Sequence, residues 1–343
     1  IDANVLDAIG GDDYEQLESA GTIDAQVRLV PPEMFAFTLA YFTGSKEHNI
    51  AMRQRAIDRG LRLNEFGLIP EEKAGALNGI EAAQYSLSAM TEQEIYSHLD
   101  LQWVPPELRE DTGEIQSGSE HNLPKLLELD AIQGALHNHT VVSDGEATLE
   151  QMADAARKIG WNWLGIADHS PTLKVANGAS AEDLLAQGEL IKQYNSEWSN
   201  QGIDFRLFHG VESDILEGGK LDHPDDVLSQ IDYTVASVHA MNKWKGRDEQ
   251  SNTEELMRCI DHDATTILGH PTGRILQGRD GYEVDARKVV DAAIANSVVI
   301  ELNANPYRLD MDWRLWKRAA EKGLLSSINP DAHAPEHFAF VEA

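Results

Sequence analysis

From residue 124 onward the chain alternates two hydrophobic patterns. Short apolar runs are followed by longer stretches in which apolar residues recur at helical spacing. AIQGAL leads into His137 and His139, WNWLGI into Asp168 and His169, and FRLFHGV into Glu212. DYTVASV leads into His239, TTILG into His270, and GLLSSIN into Asp331 and His333. Between them, ATLEQMADAARKIG, SAEDLLAQGELIKQYNSEW, TEELMRCIDHD, YEVDARKVVDAAIANS and WRLWKRAAEKG read as helices, with Ser180 a candidate N-cap and Gly323 placed just past a C-terminus. Repeated strand–helix units predict an α/β fold with a mostly parallel sheet. His137 and His139 are two apart, so in a strand both imidazoles point to one face.

The front of the chain is patterned differently. GTIDAQVRLV alternates toward a strand, and Pro31-Pro32 stops it. A helix is predicted from Glu33 through MFAFTLAYF, broken at Thr43-Gly44-Ser45, and a second over EHNIAMRQRAIDRG, with Gly60 near its end. Arg53, Arg55, Arg59 and Arg62 follow one another closely there. They are either a solvated face with cations near a helix C-terminus or a contact for a phosphate backbone. Thr91 with Glu94 makes a capping-box signature. DTGEIQSGSEHNL is polar and without period, which predicts a linker at 111–123.

Each apolar run of the second half ends in a potential metal ligand, at the strand end where barrel-like α/β folds place their active sites. A surface His-x-His needs no ligand role, and one strand-end histidine can be structural. Six histidines alongside acids at the same place point instead to a metal centre. Imidazoles with carboxylates suit zinc or manganese better than magnesium or calcium, with iron a further option. His48, His98, His121, His209, His223, His262 and His337 lie on apparent loops or helix faces and read as surface or packing residues. Trp313 and Trp316, three apart on a helix, are expected to pack on the sheet.

The set HNH, D, DH, E, H, H, DAH resembles the PHP (polymerase and histidinol phosphatase) superfamily. DGEATLEQMADAARKIG, IADHSPTLKVANG, GHPTGR, ELNANPYRLD and INPDAHAPE resemble the PHP domain of bacterial family X DNA polymerases. The resemblance implies a distorted (β/α)7 barrel over 124–343. It also implies two to three divalent ions, one held by His137, His139, Glu212 and Asp331. Glu212 would bridge to a second ion on His239 and His270, and Asp144, His169 and His333 would hold a third. Such a centre hydrolyses phosphoesters. Glu212 would be the catalytic bridge; the leaving group would take its proton from a metal-bound water or from a ligand histidine such as His169; and Asp168 either orients an imidazole or is plainly structural. Arg274 and Arg308 are candidate phosphate binders, Arg274 also counted with the catalytic groups; the alternative for each is a loop salt bridge. Lys174 is a weaker candidate.

VRLVPPEMFAFTLAYFTGSKEHNIAMRQRAIDRGLRLNEFGL resembles the palm end and thumb of the same polymerases. It implies palm-remnant strands at 1–30 and a small α+β thumb at 31–110. Tyr41, Phe42 and Gly44 would lie against a nucleotide sugar, and Asn49 and Arg53 near a nascent base pair. The palm strand departs from the family: where a metal-holding carboxylate belongs, Gln26 stands, with Asp24 two residues before it. A neutral amide there predicts no polymerisation.

Charge and composition narrow these readings. The formal net charge is −30, against a broad basic nucleic-acid surface, although bound cations change the local sign. The single cysteine, Cys259, excludes an internal disulfide and suits a reducing cytoplasm. No apolar run is long enough for a membrane span, and the opening residues, which start with Ile1 rather than Met, carry no leader pattern, so neither a span nor a signal peptide is expected. The expected protein is a cytoplasmic monomer. It acts on nucleic-acid ends as a 3′–5′ exonuclease, 3′-phosphatase or abasic-site nuclease. The alternatives are a phosphatase of small phosphate monoesters and a non-catalytic DNA-end-binding module. The arginine cluster favours the first, the net charge the second.

Overall fold

The computed structural model describes residues 27–77 and 79–342. They form two compact units that divide between Leu126 and Leu127. The positions expected to carry palm chemistry, Asp24 and Gln26, lie outside the described residues. Of the expected palm-remnant strands at 1–30 only 27–30 are described, and these form no strand.

In the first unit, α1 (Pro32–Thr43) opens on a proline, whose missing N–H would have no helical partner anyway. Gly44 (φ 74°) ends it, and Ser45 caps α2 (Lys46–Ile57) by accepting from the His48 N–H. A hairpin, β1 (Leu61–Asn64) and β2 (Gly67–Pro70), follows. Helix α3 (Glu92–His98) starts at Thr91, whose side chain accepts from the Glu94 N–H while Glu94 reaches back to Met90 N–H. Phe37, Met52, Leu68, Ile95, Leu99 and Val104 form the core.

The expected linker at 111–123 is largely part of this unit. It contains α4 (Glu114–Ser119). Glu114 is buried: one oxygen lies 2.7 Å from His48 Nδ1, and the carboxylate accepts the N–H groups of Asp111 and Thr112. Gly118 packs on Leu101 and Val104. A helix this short shows no period, and its polar residue is buried with partners. Composition alone therefore misreads it. The division between units falls in the irregular, mostly exposed stretch that follows.

The second unit is a six-stranded parallel sheet in chain order: β3 (Trp163–Ile166), β4 (Arg206–Asp214), β5 (Tyr233–Ser237), β6 (Ile267–Leu268), β7 (Val299–Asn303) and β8 (Ser326–Asn329). The predicted helices are present as α5 (Leu149–Lys158), α6 (Ala181–Asn200), α7 (Glu249–Ile260), α8 (Ala286–Asn296) and α9 (Trp313–Glu321). Capping boxes at Thr148–Gln151 and Ser180–Asp183 start α5 and α6, and Gly323 (φ 90°) follows the end of α9.

The first expected strand, around His137 and His139, is not a regular one; its only bridge joins Asn138 to Ala332. The segment nonetheless takes the seventh place in the ring. Ala135 and Asn138 carbonyls accept from Gly165 and Ala167, and Ala332 exchanges bonds with His137 and His139. An Asn329 side chain, not a backbone group, receives the Leu136 N–H, which breaks the ladder. Inside, the Tyr233 hydroxyl donates to the carbonyls of Leu136 and Ile166, and a Cβ on Gly165 or Gly210 would collide with this residue. Trp316 packs against the larger core cluster as expected, whereas Trp313 is exposed. No helix among the described residues is long and apolar enough to cross a membrane.

Candidate metal centre

The nine candidate ligands converge at the C-terminal ends of the strands. Their focus is Glu212, fully buried on β4. Its Oε1 lies 2.9 Å from His270 Nε2 and 3.2 Å from His239 Nε2. Its Oε2 lies 2.7 Å from His169 Nδ1, 3.3 Å from His137 Nε2 and 3.7 Å from His139 Nε2. Asp331 Oδ1 is 3.2 Å from His139 Nε2, and Asp144 Oδ1 is within 3.5 Å of both His169 and His333. His270 (φ 22°) and Asp331 (φ 53°) occupy the left-handed backbone region, a strain of about 1–3 kcal/mol each that the surroundings hold in place.

Four groups have ligand atoms close enough to share an ion: His139–Asp144–His169–His333, His137–His139–Glu212, His137–His270–Asp331 and His169–Glu212–His239. The groups share His137, His139, His169 and Glu212, and His270, grouped here with Asp331, also lies with His239 on Glu212 Oε1, as the family resemblance implied. His137 Nε2, His169 Nδ1 and Glu212 Oε2 are buried and close together, yet none has a hydrogen-bond partner. Their lone pairs converge without the alignment that a shared proton needs. This donor set fits divalent cations of the zinc or manganese kind.

The electrostatics agree. Burial alone would raise the Glu212 and Asp331 carboxyls, but the surrounding imidazoles, His137 foremost, hold both well below the usual range. Burial disfavours a charged imidazole, yet Glu301, Glu212 and Asp331 push His137 well above its ordinary value. Against the same burial penalty, Glu212 raises His169 to about 10, with help from Asp144, and His239 to about 9, with help from Asp214. His139 moves the other way, to about 3, through burial and the neighbouring His169 and His333. Without a cation the ionised carboxylates favour the protonated forms of His137, His169 and His239, so a cation binding there competes with protons.

The surrounding residues partly depart from expectation. Asp168 orients no imidazole. Its carboxylate accepts from Thr140 N–H, Thr140 Oγ1, Ser143 Oγ and Gln187 Nε2, which pins the loop carrying Asp144. The partners behind the imidazoles are Asp214, 3.0 Å from His239 Nδ1, and Glu301, 2.7 Å from His137 Nδ1. Both escaped the sequence reading, though Glu301 and Asn303 stand two apart inside the apolar run VVIELN. Arg308 lies at the cluster, with Nε 3.4 Å from Asp331 Oδ2 and Nη1 buried without a partner. Arg274 differs from expectation: its guanidinium donates to the carbonyls of Arg308 and Leu309, so it props that loop. Lys174 is exposed, in the 3-10 turn Lys174–Ala176.

In the thumb-like unit, Tyr41, Asn49 and Arg53 line one small cavity with Phe37, Met52 and Tyr96. Asn49 Nδ2 donates to Tyr41 O, and Arg53 Nε to Asn49 O. Phe42 is exposed, with the Arg28 guanidinium over its ring. Arg55 bonds the carbonyls of Leu99 and Asp100, Arg59 the Asp100 carboxylate, and Arg62 the Glu71 carboxylate. All four clustered arginines are therefore engaged within the unit.

Two family models match the chain: "DNA polymerase beta thumb" over residues 38–110 and "PHP domain" over residues 135–305. The DNA polymerase/3′-5′ exonuclease PolX of Bacillus subtilis is 40% identical over 306 residues, 89% of this chain and 50% of the relative. A Clostridium acetobutylicum protein named "Probable phosphatase" is 32% identical over 171 residues, 49% of this chain and 63% of that one. The crystal structure of a Lactococcus lactis histidinol phosphate phosphatase, complexed with zinc, L-histidinol and phosphate, has a TM-score of 0.46 at 15% identity, over 61% of this chain and 90% of that one. The chain spans about half the length of the Bacillus relative.

Proposed function

This chain belongs to the PHP superfamily and carries a thumb of the DNA polymerase beta type, and on that premise we propose that it is a metal-dependent phosphoesterase acting on nucleic-acid ends. The observation that carries the reading is the buried Glu212 carboxylate ringed by five imidazoles, with unpartnered lone pairs aimed between them. His137, His139, Asp331 and Glu212 hold the inner part of the centre, with His239 and His270 on the far side of Glu212. Asp144, His169 and His333 hold the outer part. Two to three zinc or manganese ions bound there supply Lewis acidity and an activated water.

The chain's own groups do the rest. Arg308 offers a planar fork beside Asp331, with one N–H unused, and binds non-bridging phosphate oxygens. His169, whose ring nitrogens face Glu212 and Asp144, would tie the outer part of the centre to the carboxylate at its middle. Asp168 holds the Thr140–Ser143 loop, and so Asp144, in place. The match to a DNA polymerase beta thumb over residues 38–110 favours a nucleic-acid end as substrate. The net charge of −30 favours the second reading, hydrolysis of a small phosphate monoester.

A substrate panel separates them: 3′-recessed DNA, 3′-phosphate DNA, an abasic duplex and p-nitrophenyl phosphate, each with manganese or zinc. Cleavage of the DNA ends, lost in the double variant His137→Ala with Glu212→Ala, is expected. Turnover of the small ester alone establishes the second reading, and activity surviving the double variant places the chemistry elsewhere. A primed template with nucleotides, in the same panel, stays unextended on the Gln26 reading.

A further inference from the structure

Glu301 is fully buried on β7, two residues before Asn303, so both side chains leave the same face of the strand. Four donors converge on its two oxygens. Oε1 lies 2.7 Å from His137 Nδ1 and accepts from Asn329 Nδ2 at 3.0 Å. Oε2 accepts from the His270 backbone N–H at 2.7 Å and from Asn303 Nδ2 at 3.1 Å. Asn303 Nδ2 also donates to Asp331 Oδ2, at 3.2 Å. The three groups reached in this way, His137, His270 and Asp331, are together one of the four convergent ligand sets.

We infer that Glu301 is the positioning residue of that set: it fixes His137 with the proton on Nδ1 and Nε2 bare toward the cluster, holds the turn that presents His270, and through Asn303 aims Asp331. The inference rests on the metal-centre reading. His137 Nε2 lies 3.3 Å from Glu212 and 3.6 Å from Asp331 Oδ1 and makes no hydrogen bond, as a ligand nitrogen should. A carboxylate behind an imidazole sets its tautomer and raises its strength as a ligand. The His270 N–H bond to Oε2 also anchors a residue in the left-handed backbone region. Asn303 and Arg308 occupy Asp331 Oδ2, which leaves Oδ1 for the cluster. Glutamine at 301 keeps the shape, but its amide turns an N–H toward at least one of these donors.

Two measurements test this, neither of them activity. In the zinc-loaded wild type, long-range proton–nitrogen NMR is expected to show His137 protonated on Nδ1. A proton on Nε2 overturns the inference without any variant. In Glu301→Gln, zinc affinity measured by titration from a metal buffer is expected to fall about 10- to 100-fold, with one fewer ion retained in native mass spectrometry. Apo folding should remain cooperative. A residue that merely fills the interior would lower apo stability and leave zinc affinity unchanged, and that result overturns the inference. If Glu301→Gln does not fold, Asn303→Ser tests the same path, with weaker zinc binding expected and an unchanged affinity counting against it. Wild type that binds no zinc or manganese removes the metal-centre reading itself, whereas wild type that binds and variants that bind equally remove only the role of Glu301.

Discussion

Glu212→Gln in the metal-free protein isolates the electrostatics of the centre from its chemistry. In the wild type, Glu212 holds His239 at about 9 and His169 at about 10, above the ordinary imidazole value. A raised folded-state pKa contributes stability that is fully present below the unfolded value, about 6.5, and is lost as pH rises through the folded value. For His239, where Asp214 shares in the rise to about 9, the contribution of Glu212 is at most about 3 kcal/mol, counted once for the pair. Removing one member of a buried charge pair costs about 3–5 kcal/mol. In a unit of this size each kcal/mol moves Tm by about 2–4 °C, which gives about 6–20 °C. The assay is thermal unfolding of the full chain in EDTA between pH 6 and 10, followed by tryptophan fluorescence. Six of the seven tryptophans lie in the second unit, so the signal reports mainly on it. Wild type is expected to lose stability steadily as pH rises, and Glu212→Gln to start lower and vary less. A flat wild-type profile, or two parallel profiles, would falsify the electrostatic account.

Two further outcomes follow from geometry and exposure. Arg308→Ala removes a charged donor and one brace on Asp331, a loss of about 1.5–3 kcal/mol, so kcat/KM on the best DNA substrate should drop about 10- to 150-fold. Arg308→Lys should recover little of it, because an ammonium lacks the fork, and an unchanged rate in either variant removes Arg308 from phosphate binding. The Asp144 and His333 side chains are 33% and 30% exposed, against 0% for Glu212. Under limiting chelator the ion of the outer group should therefore leave first. Native mass spectrometry that shows simultaneous loss, or protection of the outer ion in preference to the inner ones, refutes this.

The sequence made the architecture of the second unit readable because each strand is a short apolar run with its polar residue at one end, and each helix carries its own caps. Eight of the nine candidate ligands stand at those ends; Asp144 lies in the turn beyond the first run, and the family resemblance completes the set. What the residues touch was harder to read. His137 and His139 share a face without forming a regular strand, because Asn329 interrupts the backbone pairing there. From sequence Asp168 fits either an imidazole-orienting or a plain structural role, and adjacency to His169 along an extended chain sends the two side chains to opposite faces. The carboxylates that do stand behind imidazoles, Asp214 and Glu301, lie 25 and 164 residues from their histidines. Arg274 shows the same limit: a guanidinium looks equally suited to phosphate and to a backbone carbonyl until its neighbours are known. Residues 111–123 were misread for the opposite reason, since their polar character conceals a buried acid with three partners.

The ring is shut by its earliest and latest pieces, His139 meeting Asp331 across 192 positions of sequence. A chain still leaving the ribosome can form β3 to β7 and shape most of the cavity, but it has no seam until residues past 331 emerge. Hydrolytic competence is therefore expected only once the segment around Asp331 has joined the ring.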